Sequence, residues 1–157
     1  MTIVILSPSN MNIVLDTSVL VAAARSRNGA SHRLLSGMPN DRFTTVISVP
    51  LFVEYQDVLL RPENLLDRTP RQAEGFLNFL LSISHLQEVF YQWRPALSDP
   101  DDDMVLEVAG AGNCRYIVTH NRRDFRGSES WGVTAIKPSD FIKLIENQYD
   151  QRDDSDA

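Results

Sequence analysis

The stretch MNIVLDTSVLVAAARS, residues 11–26, decides how the chain folds. Its first part, NIVLD, is a short and nearly continuous apolar run, suited to a strand buried in a parallel sheet. From Thr17 the pattern changes to a capping-type start followed by good helix formers, until Arg27, Asn28 and Gly29 break it. A buried strand feeding directly into a helix is the repeating unit of an α/β domain. Asp16 stands at the junction. It either caps the helix that begins near Ser18 or offers a carboxylate at a site, and one aspartate can do both.

The rest of the chain repeats this alternation. FTTVIS (43–48) is β-branched and reads as a strand, and YIVT (116–119) and GVTAI (132–136) read as two more. LQEVF (86–90) is a further candidate strand. Helices are expected in SHRLLSG, ended by Gly37 and Pro39, and in PLFVEYQDVLLR, with Leu51, Tyr55, Val58 and Leu59 at helical spacing. Others are expected in TPRQAEGFLNFLLSI, capped by Thr69, in DPDDDMVLEVAGAG, and in PSDFIKLIEN from Pro138. The expected fold is therefore an α/β domain with a mainly parallel sheet. Ligands of such sheets lie beyond the carboxyl ends of the strands, near a switch in strand order. Asp16 after NIVL and the HNRRD segment after YIVT occupy such positions.

At 157 residues the chain is expected to make one domain, over 11–145. Residues 1–10 read as an extension or edge strand, with Met1 and Met11 both candidate starts, and 146–157 as an acidic, disordered tail. One cysteine and three scattered histidines exclude a disulfide framework and a zinc site of the usual spacing. No apolar run approaches the ~20 residues of a membrane helix, and the first residues lack the basic region of a secretory signal. A cytoplasmic protein is the expectation. The net charge of −6 is unlike most nucleic-acid binders. It leaves room for a cationic protein partner, and acids gathered around a metal would be neutralised locally.

Four acidic features stand out. Besides Asp16, Glu54 lies among Phe52, Val53 and Tyr55 on its helix, either on a solvent-facing stripe or at a site. In LSDPDDDMVLEVAGAG (97–112), Ser98 or Asp99 suits the N-cap and Pro100 the first helical position. Asp101 and Asp102 then fall in the first turn, where the helix dipole favours anions by about 0.3–1 kcal/mol each. Asp103 lies deeper and faces a like charge, Glu107, one turn on. Either this is a solvated acidic face, or a cation relieves the crowding. Asn121 and Asp124, in the loop after YIVT, offer an amide oxygen and a carboxylate; otherwise that loop is a polar turn with Phe125 folded onto the core. Together these oxygens suit a hard cation such as Mg²⁺ or Mn²⁺ and phosphodiester hydrolysis.

In order, MNIVLDTSVLVAA, ISVPLFVEYQDVL, DPDDDMVLEVAGAGNCRYIVTHNRRDF and GVTAIKPSDFI resemble the PIN-domain family, in particular bacterial toxin components similar to VapC-type toxins. The resemblance implies a three-layer α/β/α domain with a central sheet of about five strands. It implies a metal-dependent endoribonuclease that leaves 5′-phosphate and 3′-hydroxyl ends. Its catalytic acids match Asp16, Glu54, Asp103 and Asp124, and its metal ligands Asp16, Asp103 and Asn121, with Mg²⁺ or Mn²⁺ as cofactor. Asn121 stands where many members carry a fourth aspartate, which leaves the number of metal ions open. Thr119 matches a hydroxyl beside the site, and Ser18 lies close enough to Asp16 to orient it. Implied partners are RNA and a cognate antitoxin that inserts a basic side chain among the acids, with homodimerisation left open. The alternative reading is a weakly active or inactive module that binds RNA or a protein partner. A phosphatase with Asp16 as nucleophile is disfavoured, because Ser18 stands where such enzymes carry a second aspartate.

Overall fold

A computed structural model describes residues 10–89 and 100–153. Five strands, β1 (Met11–Leu15), β2 (Phe43–Ile47), β3 (His85–Leu86), β4 (Tyr116–Val118) and β5 (Thr134–Ile136), form one sheet in the order β3-β2-β1-β4-β5. Every pairing is parallel. Ile13, Val14 and Leu15 are consecutive and all but fully buried. Successive strand side chains point to opposite faces, so both faces of β1 are covered. The cover comes from helices α1 (Thr17–Arg25), α2 (Ala30–Ser36), α3 (Val49–Leu59), α5 (Pro70–Ile83), α6 (Pro100–Ala111) and α7 (Pro138–Asp153), giving three α/β/α layers.

Strand order reverses between β1 and β4. From β1 the chain builds outward through β2 to β3, then returns to place β4 on the other side of β1 and β5 beyond it. The register Leu15↔Val118 brings the carboxyl ends of β1 and β4 side by side, and the Asp16 N–H extends the ladder to the Val118 carbonyl at 2.9 Å. The switch point of the sheet thus lies between Asp16 and Thr119.

Helix α6 runs against the strands. It ends at Ala111 and turns through Asn113, which has a positive φ of 50°, into the amino end of β4. The Gly112 carbonyl accepts from Asn12 Nδ2 at 2.9 Å, tying this turn to the start of β1. The opposite end of α6, with Asp103, therefore stands at the carboxyl edge of the sheet. Gly112 permits this packing: a Cβ there would lie 2.8 Å from Val46 Cγ1 and 3.1 Å from the Val108 carbonyl oxygen.

The expected elements form, with differences of extent. β3 covers His85–Leu86 rather than 86–90, because this edge strand pairs only with Val46 and Ile47; Phe90 lies outside the described residues. The one-turn helix α4 (Pro62–Leu65) and the 3₁₀ turns Arg122–Phe125 and Ser128–Trp131 were not anticipated, being too short to carry a period. Helix α7 continues to Asp153, into the segment read as a tail, since its Glu, Gln and Arg residues are good helix formers. Residues 1–9, the Ser98 or Asp99 cap and residues 154–157 lie outside the described residues. Among the described residues no helix is long and apolar enough to cross a membrane.

Candidate active site

The head of α1 shows what Asp16 does. Its backbone is extended (φ −66°, ψ 147°) in the N-cap position, yet its carboxylate makes no capping bond to α1. Instead Oδ2 accepts from Ser18 Oγ at 2.6 Å and from Thr119 Oγ1 at 2.8 Å. Both hydroxyls in turn accept backbone N–H groups from the loop after β4: His120 N–H donates to Ser18 Oγ at 3.2 Å and Asn121 N–H to Thr119 Oγ1 at 2.9 Å. The His120 ring extends this lacing to Ser31 at the start of α2, with Nε2 2.7 Å from Oγ. Asp16 is thereby held through one oxygen at the switch point, 8% exposed. Hydroxyl donors of this kind fix a carboxylate's orientation.

Helix α3 brings Glu54. Ser48 caps this helix, accepting from Leu51 N–H at 3.2 Å, and Leu51, Tyr55 and Leu59 form its buried face. Glu54 is half-buried rather than on an open stripe, and its Oε2 accepts from Thr17 Oγ1 at 2.9 Å. Next to it, the Tyr55 hydroxyl donates to the Leu15 carbonyl oxygen. Burial pushes the Tyr55 hydroxyl pKa well above its ordinary value, and the nearby Asp16, Glu54 and Cys114 push it further. This group stays a donor.

Asp103 and Glu107 do not form a solvated face. They are 2% and 7% exposed and turn inward on α6, which packs against β1, β2, β4 and α3. Burying carboxylates is costly without compensating charge or hydrogen bonds. Asp102 is only half-buried, so of these two neighbours Asp103 is the acid directed into the fold. Asn121 and Asp124 are exposed, the latter on the 3₁₀ turn with its N–H bonded to the Asn121 carbonyl at 3.0 Å. Phe125 folds back into the core, 1% exposed, as the polar-turn reading of this loop has it. Arg122 and Arg123 are exposed and, among the described residues, join no ion pair.

Hydrogen bonds therefore link Asp16, Ser18 and Thr119 directly, and Thr17 with Glu54. Asp103 shares their sheet edge, whereas Asp124 is not drawn in. Among the described residues no three acidic, His or Cys side chains are gathered tightly enough to hold a metal ion. The donor set nonetheless fits a hard divalent cation by its chemistry, being carboxylate and amide oxygens with no thiolate. Thr17, Tyr55 and Glu107 had not been singled out as site residues. Only Glu107 carried a sequence signal, its like-charge spacing from Asp103; the contacts of the other two span the fold.

Comparison with known proteins agrees with this architecture. No curated protein sequence matches the chain. Among solved structures it is similar to VapC20 of Mycobacterium tuberculosis, described as a sarcin-ricin loop cleaving toxin, with a TM-score of 0.54 and 16% identity over 80% of this chain and 99% of that one. A family model described as PIN domain matches residues 12–123, from the first strand through the loop beyond β4. Because that match spans most of the chain and takes in both sides of the strand-order switch, the protein belongs to the PIN-domain family.

Proposed function

We propose that this protein is a divalent-metal-dependent endoribonuclease, the toxin of a type II toxin–antitoxin pair. One observation carries the reading: Asp16 forgoes its helix cap and is held by Ser18 and Thr119 at the switch point of the sheet. Asp16, Asp103 and Asn121 would hold a Mg²⁺ or Mn²⁺ ion, which supplies positive charge against the phosphodiester and acidity to water. Glu54 would orient the attacking water or join the metal shell, and Asp124 would complete that shell. The water oxygen bonds to phosphorus as the bond to the 3′ oxygen breaks; the 3′ oxygen takes a proton, and the phosphate stays on the 5′ end. Arg122 and Arg123, exposed beside this edge, meet the RNA backbone. A cognate antitoxin would cover the acids with a basic side chain, in keeping with the net charge of −6. The likeness to VapC20 supports the toxin assignment.

The test incubates purified protein with mixed RNA and Mn²⁺ beside Asp16→Ala and Asp103→Asn. Metal-dependent cleavage absent from both variants supports the reading. Cleavage retained by both would expose a contaminant, and a wild-type protein that binds RNA without cutting it would make this a binding module. Full activity of Asp103→Asn with loss in Asp102→Asn would shift the acidic ligand by one residue.

A further inference from the structure

Two consecutive side chains of α3 reach across to the two residues that flank Asp16. Glu54 Oε2 accepts from Thr17 Oγ1 at 2.9 Å, and the Tyr55 hydroxyl donates to the carbonyl of Leu15. Positions 15 and 17 are thus pinned to positions 55 and 54, with Asp16 between them. Leu15 and Tyr55 are 1% exposed and Thr17 is 9% exposed, while Glu54 is half-buried. In a buried setting such bonds hold geometry with little competition from water.

Neither bond is what local structure asks for. Thr17 opens α1, where a hydroxyl ordinarily serves the helix's own backbone, yet it turns to an acid on another helix. A buried tyrosine must find a partner, and this one uses the last residue of the strand that delivers Asp16. We infer that Thr17 is a positioning residue that fixes the Glu54 carboxylate relative to Asp16, with Tyr55 holding the backbone between them. This rests on the ribonuclease reading for its functional consequence, but the coupling itself concerns the protein alone.

The experiment is a double-mutant cycle in the full chain. Thr17→Val and Glu54→Gln are made singly and together, with Thr17→Ser as the conservative control. RNA cleavage, Mn²⁺ affinity by electron paramagnetic resonance and thermal unfolding are measured on each. Thr17→Val is expected to lower kcat about 10–100-fold, the usual cost of losing a group that orients a metal-site carboxylate. KM should stay within about twofold, and Thr17→Ser should restore kcat. In the Glu54→Gln background, Thr17→Val should add almost nothing, because it acts through Glu54. Equal losses with and without Glu54, or no recovery in Thr17→Ser, overturn the coupling and leave the ribonuclease reading intact. A wild-type protein that binds Mn²⁺ without cleaving RNA overturns the ribonuclease reading instead, and the same cycle run on Mn²⁺ affinity then decides the coupling. Should Thr17→Val fail to fold, Tyr55→Phe takes its place. A loss of Mn²⁺ affinity there supports the double pin, and an unchanged affinity contradicts it.

Discussion

The heads of α1 and α5 begin alike and are used differently. Thr69 caps α5 with a complete capping box: its side chain accepts from Gln72 N–H at 3.2 Å, and Gln72 Oε1 accepts from Thr69 N–H at 2.9 Å. Asp16 occupies the same position before α1 and gives its carboxylate to Ser18 and Thr119 instead. At Thr69 the local rule and the structure agree, because stability is the only demand there. At Asp16 a good local solution is declined for one that orients an acid at the strand-order switch. Departures of this kind are expected where a site is built.

The comparison breaks most sharply at Asp16 itself. Asp16→Asn should abolish cleavage by about 10³-fold or more, since several kcal/mol of metal-dependent stabilisation are lost. Its unfolding temperature should hold or rise, because a buried charge is removed without opening a cavity. Thr119→Val tests the hydroxyl that replaces the cap: activity should fall about 10–100-fold, and stability by about 1–3 kcal/mol, because Asp16 Oδ2 loses a buried donor and the Asn121 N–H its acceptor. A Thr119→Val enzyme at full rate would make the Asp16 hydrogen bonds mere structural filler.

Three changes sharpen the other side of the comparison. Gly112→Ala should destabilise by about 1–3 kcal/mol in urea unfolding, since the added methyl meets the stiff, buried Val46 side chain. Thr69→Ala should cost about 1 kcal/mol and, unlike Thr119→Val, leave cleavage unchanged. The smallest effect concerns pH. Burial pushes the Cys114 thiol from 9.0 up to about 12. Below about pH 9 the folded and unfolded chains are both protonated there, so its contribution is constant. As pH rises toward 12 the unfolded chain loses that proton first, so stability falls. Cys114→Ala should therefore show a shallower drop in urea midpoint between about pH 8 and about pH 10.5. The share due to Tyr55, raised in the same direction, should persist in that variant.

Much of the site was legible locally. The position of Asp103 within LSDPDDDMVLEVAGAG separates it from aspartates that belong to a helix start, and its 2% exposure agrees with that separation. Asp16 was legible because it ends an apolar strand, whereas Thr119 stood out only through the family resemblance. Glu107 was visible only as an unfavourable neighbour of Asp103, because helical spacing says which residues share a face but not whether that face is buried.

The alternation of apolar strands and capped helices therefore determined the α/β domain, its parallel sheet and the strand edge at which Asp16 stands. These are properties of short segments, and 3.6- and 2-residue periods record them. Only the tertiary structure decided that Asp16 orients toward Ser18 and Thr119 rather than capping α1, that Thr17 grips Glu54, and that Tyr55 holds Leu15. Those bonds join residues as far as 103 positions apart. They exist because strand order sets β1 beside β4 and packing sets α3 against α1, and no local pattern carries that adjacency.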